Sequence, residues 1–225
     1  MIAAWDYAQV CRVLANAFRY RYRDEKGAGI RMVGLLFAPP EARLARDEIV
    51  PSLDYFHHRS GNNIDIFCAG YRRYGYAPQP DERPVTRDDP PWFFSIAQYE
   101  RFRREIERLS RWRYGGEVDL LLLNARFDQE RDTATLDSTS AIGCDLDRMI
   151  KDGAIQSVRR FFEDGCRFAE NTSGADPTWG FSDELGLRTA GSALKRVILA
   201  LLPKKLGEDY RRAEHFVVRD ISAAS

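Results

Sequence analysis

Two apolar runs joined by one helical pattern constrain this chain more than any other feature. Ile30-Arg31-Met32-Val33-Gly34-Leu35-Leu36-Phe37 leads into Pro39-Pro40, and Ile64-Asp65-Ile66-Phe67-Cys68-Ala69 follows after His57-His58-Arg59-Ser60-Gly61. Between them Leu44, Ile49, Leu53 and Phe56 fall on one helical stripe, with Arg43, Arg46, Asp47 and Asp54 facing water. The unit reads as two parallel strands, since parallel strands need a crossover, usually a helix, where antiparallel ones can be joined by a hairpin. A near-continuous apolar strand such as Ile64–Ala69 also implies cover on both faces. Pro40 suits a first helical turn, while Pro51 inside the stripe predicts a kink or a split into two pieces.

The flanking segments extend this unit. Asp6 is placed to cap a first helix with Tyr7, Val10, Leu14 and Ala17/Phe18 on one face, ending near Gly27. Residues 74–91 carry five prolines and many charges and read as a long loop. Trp92-Phe93-Phe94 reads either as a sticky partner surface with the nearby tyrosines or as another short core strand. Ser95 and Gln98 form a capping-box pattern before a stripe of Ile96, Tyr99, Phe102, Ile106 and Leu109, which Gly115-Gly116 should end. Val118–Leu123 and Ala134–Ile142, joined by a charged turn, predict an antiparallel hairpin. A helix over 154–170 buries Ile155, Val158, Phe161, Phe162 and Cys166. A connector at 171–180, a Ser182-capped helix, a helical tail over 206–218 and frayed last residues complete the reading.

The 34 basic and 34 acidic side chains cancel, which gives no global attraction to nucleic acid. Four cysteines (Cys11, Cys68, Cys144, Cys166) lie far apart without a Cys-x-x-Cys pair, as expected of reduced thiols in a cytoplasm. The opening residues lack a basic region followed by an apolar one, and Val197–Leu202 is too short to span a bilayer. A cytoplasmic protein with no membrane partner is the expectation.

The element order strand, helix, strand, helix, strand, strand, helix over about Ile30–Glu170 resembles the thioredoxin fold. The resemblance implies a three-layer α/β/α core with a mixed sheet; with the N-terminal helix added, the expected core domain is residues 1–171, and a helical extension over 172–225 is expected to pack on it. A flavodoxin-like or other doubly wound sheet is the rival and needs more βα units than the chain offers. Thioredoxins carry Cys-x-x-Cys where the first helix begins; here that place reads Ala38-Pro39-Pro40-Glu41-Ala42-Arg43. They also place a cis-proline before the third core strand, where this chain reads Gly115-Gly116-Glu117-Val118. The resemblance therefore implies a redox-inactive relative.

No complete catalytic set stands out, and neither a cofactor nor a metal is expected. His57 and His58 point about 100° apart on a helix, so they read as a helix end more than as a metal pair. The third histidine, His215, is remote, and no metal-binding spacing is present. Arg59-Ser60-Gly61-Asn62-Asn63 reads as a tight connector whose rival role is an anion-binding turn. Asp65 and Asp119 occupy equivalent early places in two strands, either as a carboxylate pair or as hydrogen-bonded strand entries. Ser138, Thr139 and Ser140 offer hydroxyls without a nearby histidine. Ligands of covered sheets bind at strand carboxyl ends. That rule nominates Glu41, Tyr71, Arg72, Arg73, Asn124 and Arg126 as a binding rim for a carboxylate, a phosphate or an acidic partner. The leading expectation is a non-catalytic module of a bacterial cytoplasmic system, with an accessory, immunity or regulatory role and a protein or small anionic ligand as partner. The alternative is an enzyme acting on an anionic substrate through that arginine-lined cleft.

Overall fold

A computed structural model describes residues 2–21, 30–59, 64–73, 79–172 and 218–220. The architecture is mixed α/β. Strands are β1 (Ile2–Ala4), β2 (Ile30–Phe37), β3 (Asp65–Ala69), β4 (Tyr71–Arg72), β5 (Glu82–Pro84), β6 (Phe93–Ser95), β7 (Asp119–Asp128), β8 (Thr133–Asp145) and β9 (Val218–Asp220). Helices are α1 (Tyr7–Arg21), α2 (Leu53–Arg59), α3 (Ile96–Leu109), α4 (Leu146–Lys151) and α5 (Val158–Thr172).

The main sheet has the order β1-β3-β2-β7-β8-β9. β3 pairs in parallel with both β1 and β2, and the β2–β7, β7–β8 and β8–β9 pairs are antiparallel. The parallel β2–β3 pair is the unit expected from the two apolar runs. Consecutive residues on its strands (Leu35 and Leu36, Phe67 and Cys68) and on the neighbouring β7 (Leu120 and Leu121) are all buried, so both faces are covered. On one face Phe37 stacks on Phe102 of α3 at 5.7 Å, and Phe18 of α1 stacks on Phe127 at 5.2 Å. The β2–β3 crossover begins irregularly, with a π-helical turn over Ala45–Ile49 and a 3-10 turn over Val50–Ser52. Pro51 lies within that 3-10 turn, which parts the π-helical turn from α2, the split its missing N–H predicts. Phe56 of α2 then meets Phe162 of α5 at 4.9 Å, and Glu48 accepts the Val158 N–H at 2.7 Å.

Several sequence expectations need correction. β1 was not anticipated; its three residues are too few for an alternating pattern. The proline-rich stretch holds β5, which joins β6 and β4 in a second sheet of order β4-β6-β5. Trp92-Phe93-Phe94 therefore contributes to a short strand. α3 ends at Leu109, six residues before Gly115, where Ser110 is extended; its N-terminus is capped as expected, Ser95 Oγ accepting the Gln98 N–H at 3.1 Å. β8 runs on to Asp145, which caps the unpredicted α4 by accepting the Arg148 N–H at 2.9 Å. α5 begins at Val158, and Ile155 is buried ahead of it. Asp54 is half-buried rather than water-facing. Val218–Asp220, expected as the end of a helix and a frayed tail, is a strand on β8. The Ser182 helix, His215 and most of the C-terminal extension lie outside the described residues.

Gly70 joins the two sheets. Its N–H donates to Ala4 O at 2.7 Å and its carbonyl accepts the Ser95 N–H at 3.0 Å, so it touches β1 and β6 at once. Its φ is +76°, and a Cβ there would lie 2.8 Å from Tyr99 Cβ and 2.9 Å from Ser95 O. Only glycine fits that conformation and that gap.

Candidate functional site

The carboxyl ends of β2 and β3 are where the rim was expected, and the small sheet occupies that place. Tyr71 is fully buried and donates its hydroxyl to Ala38 O at 2.7 Å, directly beyond β2. Burial pushes its phenol well above the ordinary tyrosine range, with Cys68 adding to the effect. Arg72 is also buried. Its Nε donates to Glu82 Oε1 at 2.9 Å and a second guanidinium nitrogen bonds the other carboxylate oxygen, a bidentate pair between β4 and β5. The same guanidinium lies 5.4 Å from the Phe93 ring centroid and 5.7 Å from that of Trp5. Arg73 pairs with Asp54 of α2 at 3.1 Å. Asp54 also accepts the Trp92 indole N–H at 2.6 Å, and the His57 ring meets Trp92 edge-on at 5.8 Å. Glu41 forms an exposed ion pair with Arg83 of β5. These four rim residues do gather at one end, where they fasten the small sheet to α2 and to the β2 exit.

Asn124 and Arg126 do not join them. β7 is antiparallel to β2, with Phe37 opposite Asp119 and Ile30 opposite Arg126. The carboxyl end of β7 therefore lies beside the start of β2, at the opposite end of the sheet. There Arg126 pairs with Asp137 at 2.8 Å, and Asn124 is buried. The rim of three arginines expected from the sequence divides between two ends of the sheet, because a strand's pattern carries its faces but not its direction.

The same antiparallel pairing separates Asp65 from Asp119. Asp65 pairs in register with Val33, and Asp119 with Phe37. Asp119 accepts the Trp112 indole N–H at 2.9 Å. The nearby Asp147 accepts the Val118 N–H at 2.7 Å, yet burial raises its carboxyl above the usual range, helped by Glu117 and Asp145. His57 and His58 fall in the last turn of α2, as expected, with ring centroids 5.5 Å apart in a T-shaped contact. Among the described residues no group of three or more histidine, cysteine or acidic side chains is arranged to hold a metal ion. All four cysteines are unbridged; burial pushes the thiols of Cys68 and Cys144 up, which makes them poor nucleophiles. Arg59 pairs with Glu163 of α5 at 2.9 Å; the rest of its proposed anion turn, 60–63, lies outside the described residues.

Sequence reasoning overlooked a cleft on the α3 side of the sheet. The β7–β8 ladder jumps from Leu123–Ala141 to Asn124–Asp137, so Ser138–Ser140 bulge out of register. Between this bulge and the end of α3 lies a small, almost wholly apolar cleft of about 20 Å³, lined chiefly by Ile106, Leu109, Leu121, Leu123, Leu136 and Ser138. Leu109 is 42% exposed at its edge, unusual for a large aliphatic side chain in this molecule. The available signal was the apolar stripe on α3, which ends in Leu109.

The chain matches no protein-family model, no curated protein and no solved structure. Among the described residues no helix is long and apolar enough to cross a membrane.

Proposed function

We propose that the chain is a non-catalytic protein-interaction module on a thioredoxin-like three-layer α/β/α core, with an accessory, immunity or regulatory role in a bacterial cytoplasmic system. The β2–α2–β3 crossover, followed by α3 and the β7–β8 hairpin and covered on both faces, supports the fold reading. One observation carries the functional reading. The charged groups nominated for gripping a substrate anion are already engaged by partners within the fold: Arg72 by Glu82, Arg73 by Asp54, Arg126 by Asp137 and Glu41 by Arg83. An incoming anion would have to displace a buried carboxylate from Arg72, and nothing gained at the surface offsets leaving that carboxylate uncompensated.

The test is native mass spectrometry of the chain purified gently from the cells that make it. A defined complex with another protein is the expected result. Recovery of the chain alone, together with turnover of a phosphoester or carboxylate substrate that Arg72→Ala abolishes without unfolding the protein, would overturn the proposal.

A further inference from the structure

One helical layer of this neutral chain is strongly basic. α1 and α3 pack on the same face of the main sheet, Phe18 on Phe127 and Phe102 on Phe37. The two helices meet where the Tyr7 N–H donates to Glu105 at 2.8 Å. Residues 6–21 and 96–113 hold nine arginines against four acidic residues, so they carry +5 while the whole chain sums to zero. Arg101, Arg104 and Arg108 line the face of α3 turned away from the sheet, and Arg12 and Arg111 are exposed as well. Glu100 and Glu107 both bind the half-buried Arg103, at 2.6 and 2.8 Å. The pairs that reach outward are long: Arg101 to Glu105 at 3.5 Å and to Asp6 at 3.6 Å, and Arg104 to Glu100 at 3.6 Å. Solvent screens such contacts heavily. Arg12, Arg108 and Arg111 make no ion pair among the described residues, whereas Arg72, Arg73 and Arg126 each have a carboxylate within the fold. Like charges three and four residues apart, as in Arg101, Arg104 and Arg108, also cost a helix stability. The fold gains nothing from that repulsion; a bound anion would offset it.

We infer that the solvent face of α3 docks an acidic surface of a partner protein, with Arg104 and Arg108 at its centre. The inference rests on the reading of the chain as an interaction module and names the surface and the partner's charge. Guanidinium forks match carboxylates two bonds at a time, and complementary charge steers such an encounter. Glu100 and Glu105 flank the stripe and favour a protein over nucleic acid. An unbroken phosphate backbone would meet both of them, while a protein can set carboxylates against the arginines and neutral side chains against the glutamates. The exposed residues of 96–113 also include no aromatic side chain on which a base could stack.

A photo-crosslinking amino acid at Ala97, exposed one turn before Arg101, tests this in the full chain expressed in its native cells. The control position is Gln129, exposed in the β7–β8 turn, and thermal melts check that every variant keeps the fold. The expected result is a protein crosslink from position 97, absent from 129, whose mapped peptide is net acidic. Arg104→Glu with Arg108→Glu should cut its yield at least tenfold. Lys151→Glu with Arg160→Glu makes the same change in net charge at exposed positions elsewhere and should leave the yield within twofold. A crosslink to a basic or uncharged segment, a nuclease-sensitive crosslink, or equal yields from the two charge reversals overturns the inference. If position 97 gives nothing while wild-type chain still holds a protein partner, the surface is wrong and the interaction module stands. If no partner is held at all, both fall.

Discussion

The indole N–H of Trp92 donates to the carboxylate of Asp54 at 2.6 Å, joining the small sheet to the crossover helix across 38 positions of sequence. The same carboxylate holds Arg73, so one side chain secures both ends of the segment that leaves and re-enters the core. Asp54→Ala should therefore cost about 2–3 kcal/mol, the loss of charge-assisted bonds plus a buried indole N–H left without its acceptor. Asp54→Asn, which keeps an acceptor oxygen, should cost about half as much. Urea unfolding followed by tryptophan fluorescence measures both, and equal, negligible losses would show that the link is idle.

Gly70 should tolerate no side chain. Gly70→Ala combines a left-handed backbone with a Cβ pressed against Tyr99 and the Ser95 carbonyl, and should destabilise the fold by about 3 kcal/mol. Gly115, where an added Cβ meets nothing within 4 Å, is the control, and Gly115→Ala should change stability by less than about 0.5 kcal/mol. Similar melting temperatures for the two variants would contradict the packing described around Gly70.

The Arg72–Glu82 pair predicts a non-additive double mutant. Its side chains are 6% and 4% exposed, so Arg72→Met alone leaves a buried carboxylate and should cost about 3–5 kcal/mol. Adding Glu82→Leu should recover most of that loss, since two apolar side chains of similar volume replace two desolvated charges. A double-mutant cycle in denaturant gives the coupling; additive losses would mean that the pair is solvated.

Alkaline conditions should weaken the fold through two tyrosines. Burial first, then the neighbouring Cys11, pushes Tyr7 up to about 12, and burial raises Tyr114 to about 12 as well, from an ordinary value of 10. A phenol whose folded pKa exceeds its unfolded one stabilises the fold fully below the unfolded value, and that contribution is lost as pH rises through the folded value. The contribution of these two tyrosines should hold to about pH 9 and fall between 10 and 12, on top of any loss from the buried thiols. Tyr7→Phe, which also gives up the Leu136 N–H donated to its hydroxyl, should start lower and decline less steeply over that window. Urea midpoints at successive pH values would reveal it; parallel curves for wild type and variant would exclude Tyr7 as a source.

What the sequence disclosed follows from how each contact is made. β2, α2 and β3 were legible because an apolar run and a 3.6-residue stripe are local patterns, and Leu44, Ile49, Leu53 and Phe56 are buried as the stripe required. The small sheet was hidden by Pro84 and its neighbours, which look like loop until Tyr71, Arg83 and Phe94 are seen to pair. The misassigned end of Asn124 and Arg126 has a different origin, since the apolar run Val118–Leu123 reads the same whichever way the strand runs. The ion pairs of the candidate rim were invisible for a third reason. Arg72 and Arg73 find their carboxylates on elements whose approach is set by the tertiary fold, not by spacing in the chain.

β9 has a consequence for how the molecule is made. It covers Ile142–Cys144 of β8, yet it is translated only after all of α4 and α5. On a ribosome the hairpin is finished while its covering strand is still unmade, and a chain cut short before Val218 never receives it. Such products present open hydrogen-bonding groups that any extended polypeptide can pair with. Pairing of Val218–Asp220 thus separates molecules whose β8 is covered at Ile142–Cys144 from molecules in which that stretch is open to another chain.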